Sequence, residues 1–500
     1  MDTRETDVLI IGTGFGAAAP ALRLAQAGLQ VTMLEKGPRI NPFKDFRQTS
    51  DPQYLLKYLH GISSERLSLT YAEAMGGGSG FYEMVSLRAP SVIFNQVDEH
   101  GRRLWPTGVD RATLDPYYDI AEQMLHVRQI PAELVPKSGL VFALMMKKLG
   151  YSCDRARYAE RGCVGSGFCV TGCIYAAKQS LLLNYLPQAV EAGATIETDV
   201  EALRIARLPD GTYEVRCRQG NRLVLWRSRI LVLGGGTIGT AKLLLSSRAE
   251  LPFLGAHVGQ NIAFNGSVKA AGLLSDDFPD GDMFTGRTHP GMISYQFLES
   301  HGFTVSAVKA MPLELMAGLR LRLRGDARNP NWWGTANVEL MQQLRRRIIA
   351  LYAMGLTPPG ARLTLGPDGK PVLDLQMTRR LAKYHQRTEE VLHSILLRNG
   401  CQLVDIQFVD RTGSPREEGY STAHQVGSCR MADSKNDGVV KASGEVFDYP
   451  GLYITDGSAI PSSLAVNTSL TILANAERIA AGMVSALSPG SRPLAHMGTS

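Results

Sequence analysis

The sequence predicts an α/β protein, with a discontinuous Rossmann-like nucleotide-binding domain and a second domain inserted between its parts. Three observations carry this. Residues 7–36 read strand, glycine turn, helix, strand; residues 229–236 repeat the strand-to-glycine turn; and a third strand-to-helix stretch begins at Leu452.

Taken in order, Val8-Leu9-Ile10-Ile11 is a short apolar run that reads as a buried strand, followed by the turn Gly12-Thr13-Gly14-Phe15-Gly16-Ala17. Ala18 to Ala27 carries a helical pattern that stops at Gly28, and Leu29 to Leu34 is the second strand, ending in Glu35-Lys36. Arg229 to Leu233 leads into Gly234-Gly235-Gly236 and a helix over 237–247. Leu452 to Asp456 is a strand, and a helix follows over 468–487. The block between differs in character. Residues 262–350 are rich in Phe, Met, Leu and Arg without a βαβ rhythm, a hairpin is expected around Gly366-Pro367-Asp368-Gly369, and a helix over 377–399 stops at Gly400. The expected division is a nucleotide domain from 1–95, 186–262 and 420–500, and a substrate domain from 96–185 and 263–419.

Composition narrows the function classes. The chain has 500 residues, 44% hydrophobic and 20% charged, which is ordinary globular usage. Its +6 charge, from 53 basic and 47 acidic residues, is too mild to argue for a nucleic-acid partner. Asp2, Glu5 and Asp7 precede an apolar run too short for a signal peptide core, and no apolar stretch reaches the roughly 18 residues of a spanning helix. A cytoplasmic protein is the expectation. Seven cysteines, three of them within residues 163–173, do not read as a disulfide framework.

The first turn fits G-x-G-x-x-G/A with Gly12, Gly14 and Ala17. Gly12 allows the tight turn, Gly14 lets the backbone approach a pyrophosphate, and Ala17 lets helix and strand pack closely. The anion then sits at the helix N-terminus, where free N–H groups and the helix dipole favour it. Glu35, 23 residues after Gly12, ends the second strand where an acid bonds ribose hydroxyls. An adenine dinucleotide is the expected ligand. FAD and NAD are not separated by this motif.

Further residues separate them. The segment Gly12 to Ala18, the turn Gly76-Gly77-Gly78-Ser79, the stretch His424-Gln425-Val426-Gly427-Ser428-Cys429-Arg430-Met431, and then Asp456-Gly457-Ser458 and Val466-Asn467 resemble, in order and spacing, the glucose–methanol–choline (GMC) oxidoreductases. The resemblance implies FAD, a substrate domain with an antiparallel sheet and helices, and oxidation of a small-molecule alcohol. The flavour of 162–194 is similar to the cholesterol-oxidase and long-chain-alcohol-oxidase branches. His424 falls at the family's catalytic histidine and is expected as base; Asn467 falls at the partner position and is expected to orient the alcohol oxygen. The same resemblance implies that Phe15, Gly16, Lys36, Gly77, Gly78, Ser79, Val200, Gly234, Gly235, Asp456, Gly457 and Thr468 lie along the cofactor. Read alone, Asn467 is also a helix N-cap, ahead of the helical pattern that Thr468 begins.

Two departures stand out. Thr468 follows Asn467 where relatives often have Pro, and Gly80-Phe81-Tyr82-Glu83 replaces a run in which relatives commonly carry Asn near the flavin. Glu339 lies where some cholesterol oxidases use a further acid, although a helix-surface role is the better reading.

Cys163, Cys169 and Cys173 are too few for a four-thiolate cluster and have no histidine nearby in sequence for zinc. They read first as buried thiols in a glycine-laced loop. Similarity to glucose dehydrogenases implies, as the alternative, a [3Fe-4S] cluster passing electrons to an acceptor protein. Leu319-Arg320-Leu321-Arg322-Leu323-Arg324 alternates with a strand's period. With Trp332, Trp333 and Arg345-Arg346-Arg347 it makes either a half-buried strand with a solvated Arg face, the preferred reading, or a peripheral membrane contact. Three function classes follow: an FAD alcohol oxidase or dehydrogenase with a sterol or other bulky lipophilic substrate and sugars as the rival, an electron-transferring dehydrogenase subunit, and a non-redox lyase on the same fold.

Overall fold

Strand Asp2–Ile11 runs through the middle of a seven-stranded sheet, flanked by Val31–Leu34 and Arg222–Leu233, with Thr195–Glu197 beyond Val31–Leu34. The structure is a computed structural model that describes residues 2–49, 51–309, 319–325, 334–408 and 419–487. Val8, Leu9 and Ile10 are fully buried, as expected of a parallel strand with helices on both faces. The strand begins well before Val8 because Asp2 to Thr6 pair in parallel with Val224 to Ser228. Polar residues gave no sign of that pairing.

Strand Arg222–Leu233 has two neighbours on its other edge. Residues 222–228 pair antiparallel with Tyr213–Gln219, which continues to Val200–Arg207, while Leu231 to Leu233 pair in parallel with Leu452–Ile454. The C-terminal ends of Asp2–Ile11 and Arg222–Leu233 therefore meet side by side, each followed by a glycine turn. Helix Phe15–Gln26 starts three residues earlier than its pattern suggested, directly after Gly14.

The second seven-stranded sheet is antiparallel, in the order Leu319–Leu323, Gln402–Phe408, Val268–Leu273, Ile348–Gly355, Phe303–Val308, Met292–Ser294, Asp154–Arg155. The stretch that lacked a βαβ rhythm supplies most of these strands. Helices Lys137–Lys148 and Arg379–Arg398 pack on it, the latter capped by the Thr378 hydroxyl and ended by Gly400 at φ +75°. The expected hairpin forms from Ala361–Leu365 and Pro371–Leu375.

The alternating strand is half-buried, as its preferred reading expected. Leu319–Leu323 is an edge strand with Leu321 buried, and Asp405 lies 3.5 Å from Arg322 and 2.8 Å from Arg324. Arg345, Arg346 and Arg347 face Asp282, Asp280 and Asp276 within 3.6 Å. The basic face is thus matched by acids, and Trp332 and Trp333 lie outside the described residues. Among the described residues one helix, Ser469–Leu487, is long and apolar enough to cross a membrane by composition. It packs against helices Phe15–Gln26 and Arg111–Met124, and its buried Glu477 pairs with Arg23 at 2.8 Å, which makes it a core helix.

Candidate active site

The two glycine turns are fitted to each other by backbone contact. A Cβ on Gly12 would fall 2.5 Å from the Gly234 carbonyl oxygen, and one on Gly234 would fall 2.6 Å from the Ala17 Cβ. A Cβ on Gly77 would come to 2.9 Å from the Gly14 Cα, which brings the Gly77–Gly80 turn against the first loop. Phe15 and Gly16 open the helix, and their N–H groups have no partner among the described residues. An anion fits this cradle, because its donors are free and no side chain fills it.

Glu35 is buried, and its carboxylate accepts from the Thr13 hydroxyl at 2.6 Å and the Gly37 N–H at 2.9 Å. Burial pushes its pKa up to about 7. The Thr13 oxygen also accepts the Gly76 N–H at 2.9 Å, so one hydroxyl ties together the first loop, the strand-end acid and the Gly77–Gly80 turn. Val200 donates its N–H to the Glu35 carbonyl at 2.9 Å. The Lys36 ammonium is 2.6 Å from Glu73 and 3.8 Å from Glu201.

Asp456 is a clasp. Its carboxylate accepts from the Ser458 N–H at 2.8 Å, the Gly236 N–H at 2.7 Å and the Thr240 hydroxyl at 2.6 Å. Burial raises its pKa. Its Cα would stand 2.4 Å from a Cβ on Gly16. The side chain is therefore spent on joining the turns at Gly235 and Gly457, and only its backbone borders the loop. The Ser79 hydroxyl is likewise internal, donating to Gly76 at 2.7 Å. Gly78 is open, with nothing within 4 Å of a Cβ.

His424 and Asn467 come together, with Asn467 Nδ2 3.3 Å from His424 Nε2. Among the described residues the Asn467 Oδ1 accepts no cap bond from helix Ser469–Leu487 and its amide nitrogen meets the histidine instead, while Thr468 stands buried at the helix start. On the other side of the ring, Asn265 Nδ2 lies 3.1 Å from His424 Nδ1. That amide is held in orientation: its nitrogen donates to Val466 at 2.9 Å and its oxygen accepts the Leu464 N–H at 3.3 Å. Asn265 thus donates to Nδ1, and the resting neutral ring carries its proton on Nε2. The buried Asn467 Oδ1 has no partner, and a half-turn of that amide brings it to the Nε2 proton. Burial pushes the His424 pKa down to about 4, so the ring is neutral at pH 7.

The three cysteines line one small cavity of about 20 Å³ together with Lys178 and Arg287. Among the described residues, no three metal-ligating side chains gather at single-ion spacing. Lys178 is buried and donates to the carbonyls of Gly80 at 2.5 Å and Cys169 at 2.6 Å, tying the cysteine loop to the Gly77–Gly80 turn. Its pKa is lowered to about 8 by burial. Glu339 is exposed on helix Thr335–Gln343, which packs on edge strand Leu319–Leu323, and takes no part in the site.

Sequence reasoning passed over Thr13, Asn265 and Lys178. Thr13 lies inside the fingerprint at a position the motif leaves free. Asn265 precedes a glycine at φ +47° and reads as a turn; nothing local marks it as a histidine partner.

Two family models described as GMC oxidoreductase match residues 7–264 and 366–476. A cholesterol oxidase of Mycobacterium tuberculosis is 28% identical, over 95% of this chain and 90% of the relative. Paromamine 6'-oxidase of Streptomyces fradiae is 28% identical over 99% and 94%. A long-chain-alcohol oxidase of Arabidopsis thaliana is 26% identical over 96% and 67%. Among solved structures, pyridoxine 4-oxidase from Mesorbium loti aligns with TM-score 0.68 at 15% identity, over 95% of this chain and 98% of that one, a likeness of fold.

Proposed function

The chain belongs to the GMC oxidoreductase family, FAD-dependent enzymes acting on CH–OH donors, and from that premise we propose that it converts an alcohol to its carbonyl at His424 and Asn467. The observation that carries this reading is the meeting of His424 and Asn467 at 3.3 Å, with the ring braced from behind by Asn265. The cradle of Gly12, Gly14, Phe15, Gly16 and Ala17 would hold the FAD pyrophosphate, with Glu35 at the ribose and Val200 beside it. Gly77, Gly78, Gly234, Gly235 and Gly457 would border the rest. FAD, when bound, supplies the hydride acceptor.

His424 and Asn467 hold the alcohol oxygen, and His424 takes the hydroxyl proton. In the resting tautomer Nε2 is a donor, so it first grips the oxygen. Accepting a proton at Nε2 needs the ring hydrogen on Nδ1, and therefore a turn of the Asn265 amide away from Leu464 and Val466. Asn265 is a positioning residue that sets this order. The sterol expectation is supported by the resemblance of 162–194 to the cholesterol-oxidase branch and by a 28% identical relative named cholesterol oxidase.

The test is the anaerobic visible spectrum of the holoenzyme with sterols, long-chain alcohols and sugars. Loss of the oxidised-flavin bands with one class is expected; flavin that no alcohol bleaches sinks the reading. A second reading, which rests on the similarity of the Cys163, Cys169 and Cys173 spacing to glucose dehydrogenases, is a dehydrogenase passing electrons to a non-oxygen acceptor through a thiolate-bound cluster. Iron and acid-labile sulfide in the purified protein would support it, and their absence would leave the thiols as packing.

A further inference from the structure

Lys178 is 2% exposed, and its ammonium makes no ion pair among the described residues. Its donors go to main-chain carbonyls instead: Gly80 at 2.5 Å, Tyr82 at 3.3 Å and Cys169 at 2.6 Å. An ammonium offers three donors and no acceptor, which suits three converging carbonyls. The rings of Tyr82 and Phe46 stand with their centroids 5.7 and 6.0 Å from the nitrogen and help to close it off from water.

Two of those carbonyls belong to the run that begins with the Gly77–Gly80 turn and ends at Tyr82. The chain around Lys178 stitches this run twice more. The Tyr82 hydroxyl donates to the Gln179 carbonyl at 2.7 Å, and the Leu181 N–H donates to the Ser79 hydroxyl at 3.2 Å. On its other side the run bears on the first glycine turn. A Cβ on Gly77 would come to 2.9 Å from the Gly14 Cα, and the Tyr82 ring meets Phe15 edge-on at 5.5 Å between centroids. Lys178 thus backs, through two carbonyls, the wall that Gly77 to Tyr82 sets against Gly14 and Phe15.

Burying an ammonium forfeits its hydration, and neutral carbonyls satisfy its donors without cancelling its charge. A fixed positive charge therefore stands behind the cradle wall, in surroundings where Coulomb interactions are stronger than in water. We propose that Lys178 is a positioning residue for the cofactor. Its bonds hold Gly77 to Tyr82 against the first glycine turn, and its charge favours two-electron reduction of bound flavin, which makes the ring more negative. The proposal rests on the reading of Gly12 to Ala17 as the FAD cradle. It holds whichever alcohol is the substrate.

The experiment uses the full-length protein and its Lys178→Met and Lys178→Gln variants. FAD affinity is read by titrating the apoprotein, the midpoint potential by dithionite titration of the holoenzyme against a reference dye, and folding by thermal unfolding. Lys178→Met is expected to weaken FAD binding about tenfold or more, the usual scale for losing hydrogen bonds to a charged group. Lys178→Gln keeps an amide donor and loses the charge. Its equilibrium constant for two-electron reduction is expected to fall about tenfold, a lowering of about 30 mV. If Lys178→Met does not fold, Lys178→Gln decides. A folded Lys178→Gln with the parent's potential overturns the proposal, as does a lowered unfolding temperature with affinity and potential unchanged, which would assign Lys178 to packing. Because dithionite supplies the electrons, the alcohol-oxidising reading is tested separately. The expected shifts in a flavoprotein that no alcohol bleaches keep Lys178 in its role and overturn that reading; bleaching by an alcohol with unshifted variants does the reverse.

Discussion

The Cα of Asp456 stands 2.4 Å from where a Cβ on Gly16 would be, whereas the nearest atom to a Cβ on Gly14 is the Gly77 Cα at 3.9 Å. Two glycines of one turn thus serve different ends. Gly16 admits the protein's own backbone, and Gly14, at φ −76°, leaves room for a ligand. Gly16→Ala is expected to destabilise the apoprotein by about 1–3 kcal/mol through overpacking. Gly14→Val should unfold near the parent temperature but purify without flavin. Thermal unfolding and the flavin-to-protein absorbance ratio check both; normal flavin in Gly14→Val would move the pyrophosphate elsewhere.

Glu35 gives the apoprotein a pH signature. Its folded pKa of about 7 lies above the ordinary carboxyl value, so the folded state binds the extra proton between those limits. The sign follows: stability rises as pH falls from about 8 to about 5, by on the order of 3 kcal/mol from this group. Urea unfolding of the apoprotein at the two pH values should show this gain, and Glu35→Gln should remove it. An equal gain in the variant would assign the effect to another group.

His424 should stay neutral down to about pH 4, because burial holds its pKa there. The rate of flavin bleaching by a good alcohol substrate is expected to hold its histidine-dependent level from pH 8 to 5 and to fall below that. His424→Ala should lower the rate by roughly 10²–10⁴, the range for general acid–base groups, with FAD still bound. Unchanged bleaching would remove His424 from the chemistry.

Asn265→Asp puts a carboxylate against Nδ1 in place of an amide donor. An opposite charge at this distance favours the imidazolium and the Nδ1–H tautomer. The acid limb of the bleaching profile should move upward by about one pH unit or more. A profile that lowers in height without moving would mean that Asn265 only packs.

Much of the cofactor domain was legible because its determinants are local. Gly12, Gly14, Ala17 and Glu35 lie within one strand–turn–helix–strand unit, where spacing along the chain fixes spacing in space. The hairpin at 361–375 and the helix stopped by Gly400 were legible for the same reason. The second sheet was not. Its seven strands come from residues 154 to 408, and antiparallel partners such as Val268–Leu273 and Gln402–Phe408 lie more than 120 residues apart.

The sequence by itself determined the family, the first glycine turn and the two residues, His424 and Asn467, that meet in the fold. Tertiary structure alone decided what surrounds them. It brought Asn265 behind the ring, Thr13 between Glu35 and Gly76, and Asp456 across two turns. The physical reason is that protonation state, tautomer and substrate preference depend on burial and on partners brought in from distant segments, and neither has a local signature in the chain.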